Sequence, residues 1–284
     1  MFGASPIKQQ EFERPVLELS GDILRAALQA MVAGSEDHGG IERYIDAVKL
    51  KSTMFRQALV ENDVAELDLE TFKGLCTFMA TVRRRIGRWL NEDSFTELRE
   101  GIVELFDDSV HVDERVGRFC DRFPNDKKHR WVKDLAAELL HNADPERVPL
   151  MNRWVWDAKS NTGVVREVWY GDDVDHIKIP VADGYGTYIM LREGLSQFLS
   201  DNGMFRDVLF YVDVLCAQVY AQYICEQGGS YLRADFQAPE DPMQHTRRLL
   251  GLDGVRPGDG RTRLIAIDGE AFVLDDSKLN LTEQ

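Results

Sequence analysis

Carboxylate–histidine pairs are the first residues in this sequence whose spacing could do chemistry. Asp108/His111, Asp126/His129, Glu138/His141 and Asp173/His176 each stand three residues apart. On a helix that spacing puts both groups on one face, as in the Glu-x-x-His ligand pairs of di-iron bundles. Four such pairs exceed what random placement of 49 acidic residues and six histidines would give. A di-iron bundle needs two Glu-x-x-His pairs and two further inward glutamates, and only Glu138/His141 has the form. The pairs are therefore read as exposed ion pairs and caps, with no metal favoured. Glu138, His141, Asp108 and His111 are the first ligands to test if a metal is held after all.

A second group is the segment MNRWVWDAKSNTG. It crowds Arg153, Trp154, Trp156 and Asp157 at the junction of two compositionally different halves. Aromatic walls beside a guanidinium and a carboxylate can form a ligand pocket. The plainer expectation is that the tryptophans cement the two halves while Arg153 and Asp157, four apart, pair with each other.

A third group is basic. Arg83, Arg84, Arg85 and Arg88 fall at the end of an expected helix, and Lys127, Lys128, His129 and Arg130 follow later. Cations complement the negative end of a helix dipole, but four arginines in six residues exceed that need. They are candidates for docking an acidic partner or an anion, against the reading of a solvated face. Two glycine-rich stretches, DGYGT at 183–187 and GDGRTR at 258–263, resemble anion-binding turns. Neither has the lysine and spacing of a P-loop, so chain reversal explains both. No nucleophile elbow, HExxH, EF-hand loop or kinase signature occurs.

Composition narrows the function classes. The formal charge is −15, from 34 basic and 49 acidic residues. The long-range field of such a chain repels nucleic-acid backbones and anionic membranes, so neither is an expected partner. The start, MFGASPIKQQEFERP, lacks the basic and apolar regions of a signal peptide. The most apolar stretch, 208–225, is interrupted by Asp213, Gln218 and Gln222 and reads as a buried helix with those polar groups bonded inward. Four scattered cysteines form no CxxC pair and read as reduced thiols of a cytoplasmic protein.

The elements that must position these groups follow from periodicity and caps. Apolar residues at helical spacing predict helices over 21–33, 41–60, 69–90, 94–106, 110–123 and 126–141, then a turn and a resumed helix to 158. VVREVWY and VDHIKIPV, around Gly171-Asp172-Asp173, predict a β-hairpin. Helices follow over 188–199 and 204–226, with a short one after Asp241-Pro242. RLIAI-DG-EAFVL predicts a second hairpin on a type I′ turn.

The expected fold class is thus mainly α, with a smaller α+β C-terminal part. It has a helical N-terminal half (15–158), and two β-hairpins and a buried helix in the C-terminal half (163–276). The halves read as two lobes in contact or one continuous domain. The leading expectation for function is a cytoplasmic, non-enzymatic accessory or regulatory protein that acts by protein–protein interaction. It needs no cofactor, and self-association is left open. The alternatives are an enzyme or ligand sensor with a pocket at the lobe junction, and a metal-binding helical protein.

Overall fold

The computed structural model describes residues 13–36, 39–171, 176–231, 242–254, 261–265 and 271–275. Ten α-helices lie among them. In chain order they are α1 (Gly21–Ser35), α2 (Ile41–Arg56), α3 (Leu69–Thr77), α4 (Glu92–Leu105), α5 (Val112–Asp121), α6 (Trp131–Ala143), the one-turn α7 (Val164–Glu167), α8 (Tyr185–Asp201), α9 (Val208–Tyr231) and α10 (Pro242–Leu249). One apolar cluster runs from Leu24 of α1 to Leu252, so both halves share a core.

The chain is helical, and the expected α+β C-terminal part is corrected. Among the described residues the first predicted hairpin is not formed. Its first arm holds α7, whose Val164 and Val165, with Val168 just after it, are fully buried. Residues three and four apart are neighbours on a helix, so Val168 lies beside both Val165 and Val164 and all three reach the same core. A strand would have turned one of them outward. The backbone beside them is taken by the N-terminal segment: Ser20 N–H donates to the Val168 carbonyl and Tyr170 N–H to that of Glu18. Part of the expected turn, 172–175, lies outside the described residues, and residues 177–182 carry no regular structure. Near the chain end, Arg261–Ile265 (β1) pairs antiparallel with Ala271–Asp275 (β2). The Asp268-Gly269 turn expected there lies outside the described residues. This short ladder does not make an α+β lobe.

Several helix boundaries also move, α6 for one starting at Trp131 rather than at 126. Asp68 caps α3 as expected, accepting from Thr71 N–H at 2.8 Å. But α3 stops at Thr77, and residues 78–90 form consecutive turns and a short 3-10 stretch. Asn91, not Ser94, caps α4. Residues 149–158, expected to resume a helix, are irregular.

The packing centre is α6. Every residue of α6 except Lys133 is buried. Helices α2, α4 and α5 pack on it. Its alanines, Ala136, Ala137 and Ala143, let neighbours approach closely. Helix α9 is the second axis, with α1, α2, α7, α8 and α10 against it. By length and composition α9 alone among the described helices could cross a membrane. Here its polar Asp213 and Gln218 point into the protein. Each is buried and bonded, Asp213 to His141 and Gln218 to Thr246, while Gln222 is half-buried.

The turn after α10 rests on one glycine. Gly251 has φ +73°, and a Cβ there would stand 1.8 Å from the Phe78 carbonyl oxygen. Gly251→Ala is expected to cost more than the ~1–3 kcal/mol of backbone strain alone, because the clash is with main chain. Urea unfolding measures it. A loss below about 0.5 kcal/mol, ordinary for a surface change, would contradict the close approach.

Candidate functional site

Two places concentrate polar chemistry. The first is inside. Lys51 of α2, Glu138 and His141 of α6 and Asp213 of α9 line one cavity with Asn142, Leu249 and Leu250. All four ionisable groups are buried, between 1% and 5% exposed. Lys51 Nζ donates to Glu138 Oε2 at 2.8 Å and to the Leu250 carbonyl at 3.0 Å. The amides of Asn142 and Asn152 also donate to the Glu138 carboxylate, at 2.9 and 3.0 Å. Ser52 donates to the Asn142 carbonyl. One turn earlier on α6, Asp134 accepts from the backbone N–H of Arg153 and, at 3.2 and 2.7 Å, from its guanidinium.

His141 is held at both ring nitrogens. Nδ1 is 2.9 Å from the Val148 carbonyl and Nε2 is 3.0 Å from Asp213 Oδ2. Both partners accept, so the doubly protonated imidazolium satisfies both. Burial pushes the His141 pKa down. The Asp213 carboxylate and the Val148 carbonyl outweigh it, and the net shift is upward. The cavity volume is about 10 Å³. One water needs roughly 10–15 Å³, so the space does not take an organic substrate.

These contacts bear on the metal reading. Glu138 and His141 were expected at the surface; the covered position of α6 puts them inside, each with its own partners. Asp108 is exposed and 3.5 Å from Arg147. His111 caps α5, its Nδ1 accepting from Asp113 N–H. Glu138/His141 and Asp108/His111 do not meet in a common contact. Among the described residues no three His, Cys, Asp or Glu side chains are grouped to hold a metal ion. Asp173 lies outside the described residues.

The junction segment is packed. Trp156 is fully buried and donates to the Val181 carbonyl, and Trp154 is buried beside Tyr220. Arg153 does not pair with Asp157. It forks onto Asp134, while Asp157 accepts from Arg130 at 2.6 Å. The glycine turn at 183–187 opens α8, and its anion is internal: Asp113 Oδ1 accepts from Tyr185 N–H at 2.8 Å. In the stretch 258–263, residues 258–260 lie outside the described residues. Burial pushes the Cys76 and Cys216 thiols up, and that of Cys120 to about 11, so none of the three is a thiolate near neutral pH.

The second place is outside. Arg83 is structural: its guanidinium forks onto Asp253 at 2.8 and 2.5 Å and donates to the Thr77 carbonyl. Arg84, Arg85 and Arg88 are exposed, as are Lys127, Lys128 and Arg130. Arg88 lies over the Trp89 ring, and its Nη2 is 2.9 Å from His129 Nε2. That contact joins the two basic segments, which the sequence separates by 41 positions.

The fold and these two places define a helical protein with a charged, internally paired core and an exposed cationic junction. No protein-family model, curated protein or solved structure matches the chain.

Proposed function

We propose that this chain is an accessory protein that docks an acidic segment of another protein through Arg84, Arg85, Arg88, Lys127 and Lys128. The observation that carries the reading is the Arg88–His129 contact, which brings both basic segments together at an exposed site. Most of the polar groups inside the protein are occupied with one another, whereas these cations face solvent. The overall charge of −15 does not prevent such binding. At physiological salt the screening length is about 8 Å, so an arriving carboxylate feels the nearby arginines and lysines, which outnumber the adjacent Asp126, more than the distant acids. The mixture of signs steers partner choice: a basic site on an acidic body attracts one end of a partner and repels the rest. Four free cysteines suit a reducing compartment, and we place the protein in the cytoplasm.

An aspartate decapeptide serves as probe. In 50 mM salt it is expected to bind the wild type and to lose most of that affinity by 300 mM salt. The variant Arg84→Ala, Arg85→Ala, Lys127→Ala, Lys128→Ala is expected to bind far more weakly. Its thermal midpoint should barely move, since exposed charges contribute under about 1 kcal/mol each. Equal binding by the variant and the wild type at both salts contradicts the reading.

A further inference from the structure

The hydrogen bonds of His129 fix which of its nitrogens carries the proton. Arg88 Nη2 lies 2.9 Å from His129 Nε2. A guanidinium can only donate, so Nε2 accepts and is bare. The other ring nitrogen, Nδ1, lies 2.9 Å from Asp126 Oδ1. A carboxylate can only accept, so Nδ1 carries the hydrogen. The neutral Nδ1–H tautomer is thus specified from both sides. Asp126 is itself anchored, since Oδ1 also accepts from the backbone N–H groups of Lys128 and His129 at 2.7 and 3.1 Å. The hydrogen bond from His129 holds the Asp126 carboxyl below its usual range, so it stays ionised. The imidazole is 10% exposed, which keeps it in this one arrangement.

A proton arriving at Nε2 changes the contact with Arg88 from acceptor–donor to donor–donor and sets two cations against each other. We infer that His129 is a pH-operated latch on Arg88: when the ring takes up a proton it lets go of the exposed guanidinium, the basic site gains one positive charge, and an acidic segment binds more tightly. The consequence for binding rests on the docking reading above; the latch itself does not. Histidine is the side chain whose charge ordinarily changes between about pH 5 and 8. Asp126 favours the added proton. Arg88, Lys127, Lys128 and Arg130 oppose it, Arg130 less so because Asp157 already pairs with it at 2.6 Å.

Two measurements on the full chain test this. Nitrogen-15 NMR of the imidazoles reads the tautomer, and the Arg88 Nε–H signal reads its release. At pH 7.8, His129 is expected as Nδ1–H, and the Arg88 signal is expected to follow the titration of His129. The Nε2–H tautomer, or an Arg88 signal that ignores that titration, overturns the inference whatever the peptide does. The aspartate decapeptide is expected to bind about fivefold more tightly at pH 5.8 than at 7.8, at the lower end of usual couplings between sites. His129→Gln, which keeps an acceptor for Arg88 but cannot titrate, is expected to abolish that difference. The same pH difference in the wild type and in His129→Gln overturns the inference. Correct NMR behaviour with no peptide bound at either pH supports the latch and overturns the docking reading.

Discussion

Lys51→Met lowers the free energy of unfolding by about 3–5 kcal/mol, the usual effect of stranding one member of a buried pair. That is a large part of the ~5–15 kcal/mol by which domains are stable. The reason is what the substitution leaves behind. Glu138 keeps two amide donors, from Asn142 and Asn152, but loses the cation bonded to it, Lys51, at 2.8 Å, while the His141 imidazolium of the same cavity is committed to Asp213. A carboxylate 1% exposed cannot recover water in compensation. The Leu250 carbonyl loses its donor as well. Adding Glu138→Gln removes the stranded charge: its oxygen still accepts from Asn142, and the Asn152 amide, whose Oδ1 is unbonded, can turn over to accept from the new N–H. The double variant is expected to regain most of the loss in urea unfolding. If Lys51→Met alone unfolds within about 1 kcal/mol of the wild type, as an exposed pair would, the buried pair is not as described.

Stability that depends on His141 falls as pH rises. The imidazolium bridges Asp213 and the Val148 carbonyl, and its folded pKa is raised above the ordinary value. A cation stabilised by folding contributes fully below the unfolded pKa, about 6.5 for histidine. The contribution is lost as pH climbs through the higher folded value, where the ring must give up a proton from one of two nitrogens that both face acceptors. Lys51, Glu138 and Asp213 are the other charged groups lining that cavity. Unfolding free energies measured from pH 6 upward are expected to decline for the wild type. Asp213→Asn removes the partner that raises the pKa, so its profile should be lower at pH 6 and flatter above it. His141→Ala strands Asp213 and is expected to cost about 3–5 kcal/mol at neutral pH. A wild-type profile parallel to that of Asp213→Asn would show that the ring is not charged in the fold.

Part of this core was legible in the sequence. Asp213 sits in an otherwise apolar helix, so an internal partner was expected, and His141 supplies it. Lys51 carried the same signal. It lies between Val48 and Phe55 on the apolar stripe of α2, where a solvated lysine has no place. Glu138 and His141 misled. With Asp134, at spacings of four and three, they form a polar stripe, which normally marks the solvent side of a helix. Their partners, Arg153, Asn152, Lys51 and Asp213, come from distant segments, and periodicity within one helix cannot reveal them. The valines of α7 failed for a similar reason. Their β-branched run favours a strand locally, but a one-turn helix with Val168 at its C-cap buries all three at once, and packing overrides propensity. The meeting of Arg88 with His129 was equally hidden, because it requires α3 to stop at Thr77 and the chain to turn.

The docking reading is tested most directly by mapping where an acidic segment binds. Amide NMR of the full chain, titrated with the aspartate decapeptide in 50 mM salt, gives the footprint residue by residue. The account predicts the largest shifts at 84–88 and 127–130, and their disappearance in 300 mM salt. Shifts centred elsewhere, or a footprint at 84–88 and 127–130 that survives high salt, would contradict it.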